Sequence, residues 1–216
     1  MRPFDLLIFD FNGTLQDDLH YIYECGPRRI FKKFGLYCPS LDEYRAEVGG
    51  DFMSSFYWPR GIPREVSAKD LNEIMKQAMK EHGEPPHLFL DALEALEAVV
   101  KSGCQSVLVS AYDSAKLADA LRRHGLEKRF SHVSGDIRDK AAEFVRLMDA
   151  CGVAPERTAA VGDTVEDAAA AAGAGVTPFV CPRGFHTRER IEALRTDIPT
   201  LVVIENLAAL ADRFRY

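Results

Sequence analysis

Five polar residues stand where their side chains could do chemistry together: Asp10, Ser110, Lys140, Asp163 and Asp167. Asp10 directly follows a short apolar run, so its carboxylate could be a nucleophile presented at the edge of a sheet. Ser110 ends a second apolar run, and Asp163 follows a third. Ligands of open parallel sheets bind at the carboxyl ends of the strands. A carboxylate pair beside Asp10 would form a hard oxygen site suited to Mg²⁺.

Each of these residues also has a simpler structural explanation. Asn12-Gly13 is a strong hairpin signal, although a helical pattern and no partner strand follows it. Ser110 could be a serine that caps a helix or closes a turn. Lys140 could be a solvated lysine, although a cation in the first turn of a helix opposes the helix dipole. Acids such as Asp167 are common at helix starts for dipole reasons alone.

Short apolar runs predict the strands that position these side chains. The predicted strands are 4–9, 105–109, 158–161, 177–181 and 201–204. Most lack polar/apolar alternation, which is typical of a parallel sheet covered on both faces. The predicted helices between them are 91–101, 114–124, 137–150 and 165–172. This alternation predicts an α/β fold built from βαβ units.

Residues 16–88 interrupt the alternation. They contain no convincing strand, and helical patterns cover 18–34, 41–48 and 68–82, with Pro27 expected to interrupt the first. We therefore predict a core formed by residues 1–15 and 89–216, and a helical insert formed by residues 16–88.

Composition restricts the classes of partner. The chain has 216 residues and a formal net charge of -6, which argues against a broad grip on nucleic acid. No stretch approaches the length of a membrane span, and the first apolar run is too short for a signal peptide. The five cysteines include no CxxC pair, so we expect reduced thiols in a cytoplasmic setting, with Cys104 and Cys181 in the core.

In their order along the chain, these motifs resemble those of the haloacid dehalogenase superfamily of phosphatases. The family motif Asp-x-Asp-Gly-Thr is matched by residues 10–14, with Asn12 at its second Asp. Ser110 and Lys140 match the second and third motifs, and residues 162–167 match Gly-Asp-x-x-x-Asp in full. The resemblance covers nearly the whole chain. It implies a Rossmann-like core with an inserted helical cap, as in the phosphoglycolate-phosphatase-like branch.

The resemblance also implies a metal site and a nucleophile. Asp10 would attack phosphorus and form an aspartyl-phosphate. Mg²⁺ would be held by Asp10, Asp163 and the backbone carbonyl of Asn12, while Asp167 would help to hold the water shell of the metal.

The phosphoryl group of the substrate would be held by a second set of residues. Ser110 and Lys140 would bind its oxygens, and Lys140 would keep Asp10 ionised beside a dianionic substrate. The expected substrate is a small phosphorylated metabolite, whereas the sequence does not give the oligomeric state. Further residues expected to contact the substrate are Phe11, Gly13, Thr14, Ala111 and Arg60.

Asn12 departs from the family pattern. In family phosphatases the residue two positions after the nucleophile is an Asp that protonates the leaving alcohol and then deprotonates the attacking water. An amide donates and accepts hydrogen bonds but does not titrate usefully. The backbone carbonyl is unaffected, so the metal site should survive while general acid–base help, typically worth about 10²–10⁴-fold, is in doubt.

Three interpretations of Asn12 remain open. A phosphatase could favour leaving groups that need little protonation, such as acyl phosphates, or borrow an acid. A dehalogenase or a hydrolase of C–P bonds is the second, and the latter would need Lys32 or Lys33 to form a Schiff base. The third is a binding protein without activity. The candidates for a borrowed acid are Asp17, Asp18, Glu47 and Asp51.

The insert also offers a segment that could select the substrate. Residues 48–60 contain paired glycines, several aromatic residues and Arg60, which could meet an anion. The structural alternative is that Phe52, Phe56 and Trp58 belong to the core of the cap. Residues 183–186 could form another rim, in which His186 is interpreted as a surface loop histidine.

Overall fold

The computed structural model describes residues 3–214, and within that range it contains a six-stranded parallel sheet and a two-stranded antiparallel ladder. The strands are β1 (Leu6–Phe9), β2 (Gln16–Asp17), β3 (His87–Leu88), β4 (Gln105–Val109), β5 (His132–Ser134), β6 (Thr158–Gly162), β7 (Thr177–Val180) and β8 (Val202–Val203). The order in the larger sheet is β5-β4-β1-β6-β7-β8. The predicted α/β fold with a parallel sheet is confirmed.

The helices cover both faces of this sheet and form the cap. They are α1 (Leu19–Tyr23), α2 (Arg29–Lys33), α3 (Leu41–Glu47), α4 (Ala68–His82), α5 (Ala92–Lys101), α6 (Ser114–Arg123), α7 (Lys140–Cys151), α8 (Val165–Gly173), α9 (Arg188–Ala193) and α10 (Leu207–Asp212). Side chains alternate across a strand. Leu7 and Phe9 of β1 therefore pack with α5, α6 and α10, whereas Leu6 and Ile8 pack with α7 and α8.

The register of the central strands brings the functional loops together. β1 lies between β4 and β6, with Phe9 aligned with Leu108 on one side and Val161 on the other. The strands are parallel, so the loops that follow them leave the sheet at the same edge. Asp10, Ser110 and Asp163 all lie in those loops.

The cap has its own apolar core. Its aromatic residues pack closely, with the rings of Phe31 and Tyr57 stacked at 5.7 Å and those of Phe31 and Phe56 edge to face at 5.9 Å. Phe56 is therefore cap core rather than substrate pocket. Pro27 does not break the chain between α1 and α2: the helix widens there into a π-helical turn, Glu24–Arg28, where the missing N–H of proline is tolerated.

Several short elements differ from the sequence prediction. Residues 16–88 do contain strand, because β2 and β3 pair where the chain enters and leaves the insert. A strand of two residues is too short to show the alternation of apolar and polar side chains from which a strand is predicted. β5 was not predicted because it is a polar edge strand with exposed His132 and Val133. The helices α9 and α10 were also not predicted. The boundaries at 16 and 88 stay a prediction.

Two further sequence predictions can be compared with the described residues. Cys104 and Cys181 are buried, as expected for small core residues. In the part of the chain that the structure describes, no helix combines the length and apolar character that crossing a membrane requires.

Candidate active site

Asp10 lies at the end of β1 with its side chain buried. The Thr14 hydroxyl lies 3.3 Å from Asp10 Oδ2 and 3.3 Å from Asp163 Oδ1, so it bridges the two carboxylates. Burial raises the pKa of Asp10 to about 6, and Lys140 opposes this rise. Neighbouring cations must therefore compensate for the solvation that the Asp10 carboxylate loses on burial if it is to stay ionised.

Lys140 supplies one such cation. Its Nζ donates to Asp10 Oδ1 at 2.7 Å and to Asp167 Oδ1 at 2.6 Å. Burial disfavours the charged lysine, but the two carboxylates outweigh it and raise the pKa of Lys140. The sequence placed Lys140 inside a helix starting at 137. α7 instead begins at Lys140 itself, because Asp139 caps the helix by accepting from the Ala142 N–H.

Asp167 is held by the start of α8. Thr164 caps that helix, and the Asp167 carboxylate accepts from the Thr164 backbone N–H at 3.1 Å in a reciprocal capping box. Burial acts against ionisation, but Lys140 and Thr164 lower the pKa of Asp167. The dipole explanation for an acid at this position is therefore true but incomplete, because the same carboxylate also binds Lys140.

Asp163 is the least compensated of the carboxylates. Burial raises its pKa well above the ordinary value, and the negative charges of Asp167 and Asp10 add to the rise. Its Oδ2 accepts the Phe185 N–H. A Cβ added to Gly13, whose φ is +70°, would come within 2.4 Å of this carboxylate. Only glycine therefore lets the Asp10 loop approach Asp163 so closely.

These carboxylates fit a divalent cation. Asp10, Asp163 and Asp167 are all buried, and each offers an oxygen within 4.8 Å of the others. The single positive charge of Lys140 balances only part of the negative charge that these three buried carboxylates carry when ionised. A set of hard oxygen donors with excess negative charge is what Mg²⁺ prefers in proteins.

A cavity of about 740 Å³ opens beside this cluster. Asn12, Ser110 and Ala111 line it, so the structure brings three further predicted site residues to the carboxylates. Ser110 is buried, and its Oγ accepts the Tyr112 N–H at 3.2 Å. Residues on the cavity wall that the sequence did not single out include Tyr112, Ile137, Arg138, Glu166 and Ala170.

Three residues expected to bind substrate lie beside Asp10 but away from the cavity wall. Phe11, Gly13 and Thr14 are buried and are not among the residues that line the cavity. The Phe11 ring belongs to the core, and its backbone hydrogen-bonds the Asp10 carboxylate. Other residues therefore form the surface that faces the cavity.

The predicted contact of Arg60 with the substrate also differs from where the structure places this residue. Its guanidinium pairs with Glu47 and lies 4.3 Å from the centre of the Phe56 ring, and it is absent from the cavity wall. Arg60 therefore stabilises the cap. The lysines considered for a Schiff base, Lys32 and Lys33, are exposed on α2 and do not line the cavity either.

Of the four acids considered as replacements for an acid at position 12, Asp18 is the one that contacts Asn12. Asp17, Glu47 and Asp51 are exposed and are not on the cavity wall. Asp18 is 1% exposed, and its carboxylate accepts hydrogen bonds from Asn12 Nδ2 and, at 2.9 Å, from the Gly13 N–H. Burial raises the pKa of Asp18 to about 6.

His186 is not a surface histidine, contrary to the prediction. It is 2% exposed and lines the cavity. Its Nδ1 accepts the Val165 N–H at 3.0 Å at the start of α8, and burial lowers its pKa. The imidazole thus joins the core helix to the cap, since its side chain also hydrogen-bonds the Val48 backbone. The sequence could not show this burial because it depends on cap packing.

Two arginines fasten the cap to the core beside the cavity. Arg45 of α3 donates to the carbonyl of Gly184 at 2.9 Å, and Arg190 of α9 donates to the carbonyl of Val48 at 2.6 Å. Glu166 accepts the Gly50 N–H at 2.8 Å. These bonds hold the wall formed by residues 48–50 in place. The paired glycines of the predicted selection segment therefore do reach the cavity.

We expect Arg190→Ala to loosen that wall. Two hydrogen bonds to cap carbonyls would be lost, so kcat/KM for a reaction catalysed in this cavity should fall about 3- to 30-fold while the fold persists. Steady-state kinetics and amide hydrogen exchange over residues 48–50 would measure both effects. Arg188→Ala is the matched control on α9, because Arg188 pairs only with Glu192 and Glu205 among the described residues. Equal behaviour of the two variants would contradict the assignment.

Comparisons with known proteins agree with this geometry. A model of haloacid dehalogenase-like hydrolases matches residues 4–175. A relative from Thiobacillus denitrificans named phosphoglycolate phosphatase is 27% identical over an alignment of 217 positions, and the match covers 92% of this chain and 93% of that protein.

Solved structures show the same fold. A haloacid dehalogenase-like family hydrolase from Streptococcus pneumoniae superposes with a TM-score of 0.74 at 21% identity, covering 98% of this chain and 99% of that one. CbbY from Rhodobacter sphaeroides, solved in complex with phosphate, gives a TM-score of 0.70 at 17% identity and 96% coverage of each chain. With most of its length matched by the family model, this chain belongs to the haloacid dehalogenase-like hydrolases.

Proposed function

We propose that this protein is a Mg²⁺-dependent phosphatase that acts on a small phosphorylated metabolite through an aspartyl-phosphate on Asp10. The observation that carries the proposal is the buried cluster in which Lys140 bridges Asp10 and Asp167 beside Asp163. A phosphoryl group carries negative charge on its equatorial oxygens, so a nucleophilic carboxylate needs cations beside it. The name of the Thiobacillus relative, phosphoglycolate phosphatase, and the phosphate in the CbbY structure agree with this chemistry.

Each residue has a defined task in the proposed reaction. An Asp10 oxygen attacks phosphorus, and the bond from phosphorus to the leaving oxygen breaks. Lys140 and the Ser110 hydroxyl hold phosphoryl oxygens, with the Ala111 N–H as a further donor. Asp10, Asp163 and the backbone carbonyl of Asn12 would hold Mg²⁺, with Asp167 beside its water shell. The metal would neutralise charge on the phosphoryl group as a Lewis acid.

Phosphate release in the presence of Mg²⁺ and of EDTA tests the proposal. p-Nitrophenyl phosphate is the first substrate because its leaving group needs little protonation, and 2-phosphoglycolate and acetyl phosphate follow. We expect turnover with Mg²⁺ and loss of nearly all of it with EDTA. Binding of phosphate without hydrolysis of any of the three would favour a non-catalytic role instead.

The cavity wall also favours a substrate with a second anionic group. Arg138 lines the cavity, is exposed and forms no ion pair with any described residue, whereas Lys140 is already engaged by two carboxylates. This guanidinium could bind a carboxylate or a second phosphate.

We expect Arg138→Gln to remove a preference for such substrates. As competitive inhibitors of p-nitrophenyl phosphate hydrolysis, 2-phosphoglycolate should bind wild type about 3- to 10-fold more tightly than ethyl phosphate, which lacks the carboxylate. The variant should bind the two alike. Arg146→Gln, on the exposed face of α7, is the control. An unchanged preference in Arg138→Gln would assign selection to another residue.

A further inference from the structure

The carboxylate of Asp18 lies behind the active-site loop and is surrounded by hydrogen-bond donors. It accepts from Asn12 Nδ2, from the Gly13 N–H at 2.9 Å and from Gln16 Nε2 at 3.2 Å. It is 1% exposed and has no cationic partner among the described residues. Asn12 lines the cavity, whereas Asp18 does not. Asn12 is therefore the hydrogen-bond partner that connects the Asp18 carboxylate to the cavity.

This contact fixes the orientation of the Asn12 amide. A carboxylate accepts hydrogen bonds and does not donate them when ionised, so the amide atom that faces Asp18 is the nitrogen. The side-chain oxygen of Asn12, Oδ1, is then the polar atom of this side chain that can accept a hydrogen bond from a group in the cavity. An amide oxygen can accept a hydrogen bond from water, but it cannot supply a proton to a leaving group.

We propose that Asp18 is a positioning residue that fixes Asn12 as a hydrogen-bond acceptor, and that this makes the site selective for phosphates whose leaving group departs without a proton. The inference rests on the proposed phosphatase function. The expected substrate class is acyl phosphates and esters of acidic alcohols or phenols.

The two steps balance without a general acid at position 12. Asp10 forms a bond to phosphorus while the leaving oxygen departs with the bonding electrons as a carboxylate or phenolate. A water molecule donates a hydrogen bond to the side-chain oxygen of Asn12 and then attacks the phosphorus of the aspartyl-phosphate. The Asp10 carboxylate leaves, and the proton of the water passes to the released phosphate.

The same contact explains why Asn12→Asp alone should restore little general acid catalysis. The new carboxylate would face Asp18, so two acceptors would meet where a donor and an acceptor now meet. The exchange Asn12→Asp with Asp18→Asn keeps the contact with donor and acceptor reversed. It also places a carboxylate on the cavity wall that is oriented by an amide and free to act as an acid.

The test compares wild type, the two single variants and the double variant with Mg²⁺. The substrates are p-nitrophenyl phosphate and ethyl phosphate, whose leaving groups differ in their need for a proton. We expect the double variant to exceed wild type about 10²-fold in kcat on ethyl phosphate and to change little on p-nitrophenyl phosphate. Asn12→Asp should gain less than about 10-fold, so the two substitutions should be strongly non-additive.

Two kinetic outcomes would overturn the inference. One is an Asn12→Asp variant that equals the double variant on ethyl phosphate. The other is an Asp18→Asn variant with the wild-type rate and the wild-type ratio between the two substrates. A merely structural role for Asp18 would lower both rates together and would leave that ratio unchanged.

A readout without turnover separates this inference from the proposed function. The side-chain amide resonance of Asn12, identified by its absence in Asn12→Asp, should exchange slowly with water and move in Asp18→Asn. If wild type hydrolyses no phosphate, the proposed function and the substrate class both fail, and the resonance still decides whether Asp18 orients Asn12. Rapid exchange in wild type would contradict the positioning itself.

Discussion

Asp10→Asn is expected to abolish phosphate release while leaving the protein folded. The amide keeps the shape of the side chain but is not a nucleophile, so the rate should fall about 10⁴-fold or more. Stability should change little or rise, because burial already disfavours the charged form of Asp10 and raises its pKa to about 6. Lys140 retains Asp167 as a partner. Phosphate-release assays and thermal denaturation would measure the two effects.

Asp17→Asn is the matched control for this substitution. Asp17 is close to the active-site loop in sequence but is exposed, so the loss of its charge should leave both activity and stability near wild type. Turnover by Asp10→Asn above about one hundredth of wild type would remove Asp10 as the nucleophile. Mass spectrometry of the variant would exclude deamidation of the new Asn as the source of that turnover.

The convergence of the main site residues could be predicted because it depends on topology. Asp10, Ser110 and Asp163 each follow a buried apolar strand, and parallel strands place such residues at one edge of a sheet. Asp167 lies in the first turn of the predicted helix that follows β6, and Lys140 lies near the start of the predicted helix 137–150, although β5 before that helix is not predicted. All five side chains lie on the wall of one cavity.

The residues that sequence reasoning misplaced depend on contacts between distant segments. His186 was interpreted as exposed because a loop sequence shows no periodicity, whereas its burial results from α8 and the cap meeting around it. Arg60 was assigned to the substrate because a cation near an active site suggests an anion. Its actual partner, Glu47, comes from another cap element.

The orientation of Asn12 is a further property that the sequence withholds. The residue types at positions 12 and 18 show only that an amide and an acid occur six positions apart. Their contact requires the turn around Gly13, where the chain adopts a φ of +70° and the loop bonds back through the Gly13 N–H and the Gln16 carbonyl at 3.0 Å. A departure from a family motif thus becomes interpretable only with its neighbours in place.

Lys140→Met is the other substitution with a large expected effect. It leaves Asp10, Asp163 and Asp167 buried without the cation that bridges two of them. Breaking a buried ion pair by removing one partner typically costs about 3–5 kcal/mol, so the free energy of unfolding should fall by about that amount without metal. Lys76→Met removes an exposed cation paired with Glu73 and should leave stability unchanged. Equal stability of the two variants would contradict this account of the cluster.

Added Mg²⁺ distinguishes the two roles of Lys140 in the proposed mechanism. If the carboxylates hold the metal, Mg²⁺ should raise the thermal stability of Lys140→Met by neutralising the charges that lysine no longer balances. Turnover should stay low even with saturating Mg²⁺, because the phosphoryl oxygens still lack the ammonium that binds them. Stability regained together with activity would mean that Lys140 only neutralises the carboxylates. Stability regained alone would assign it to the substrate as well.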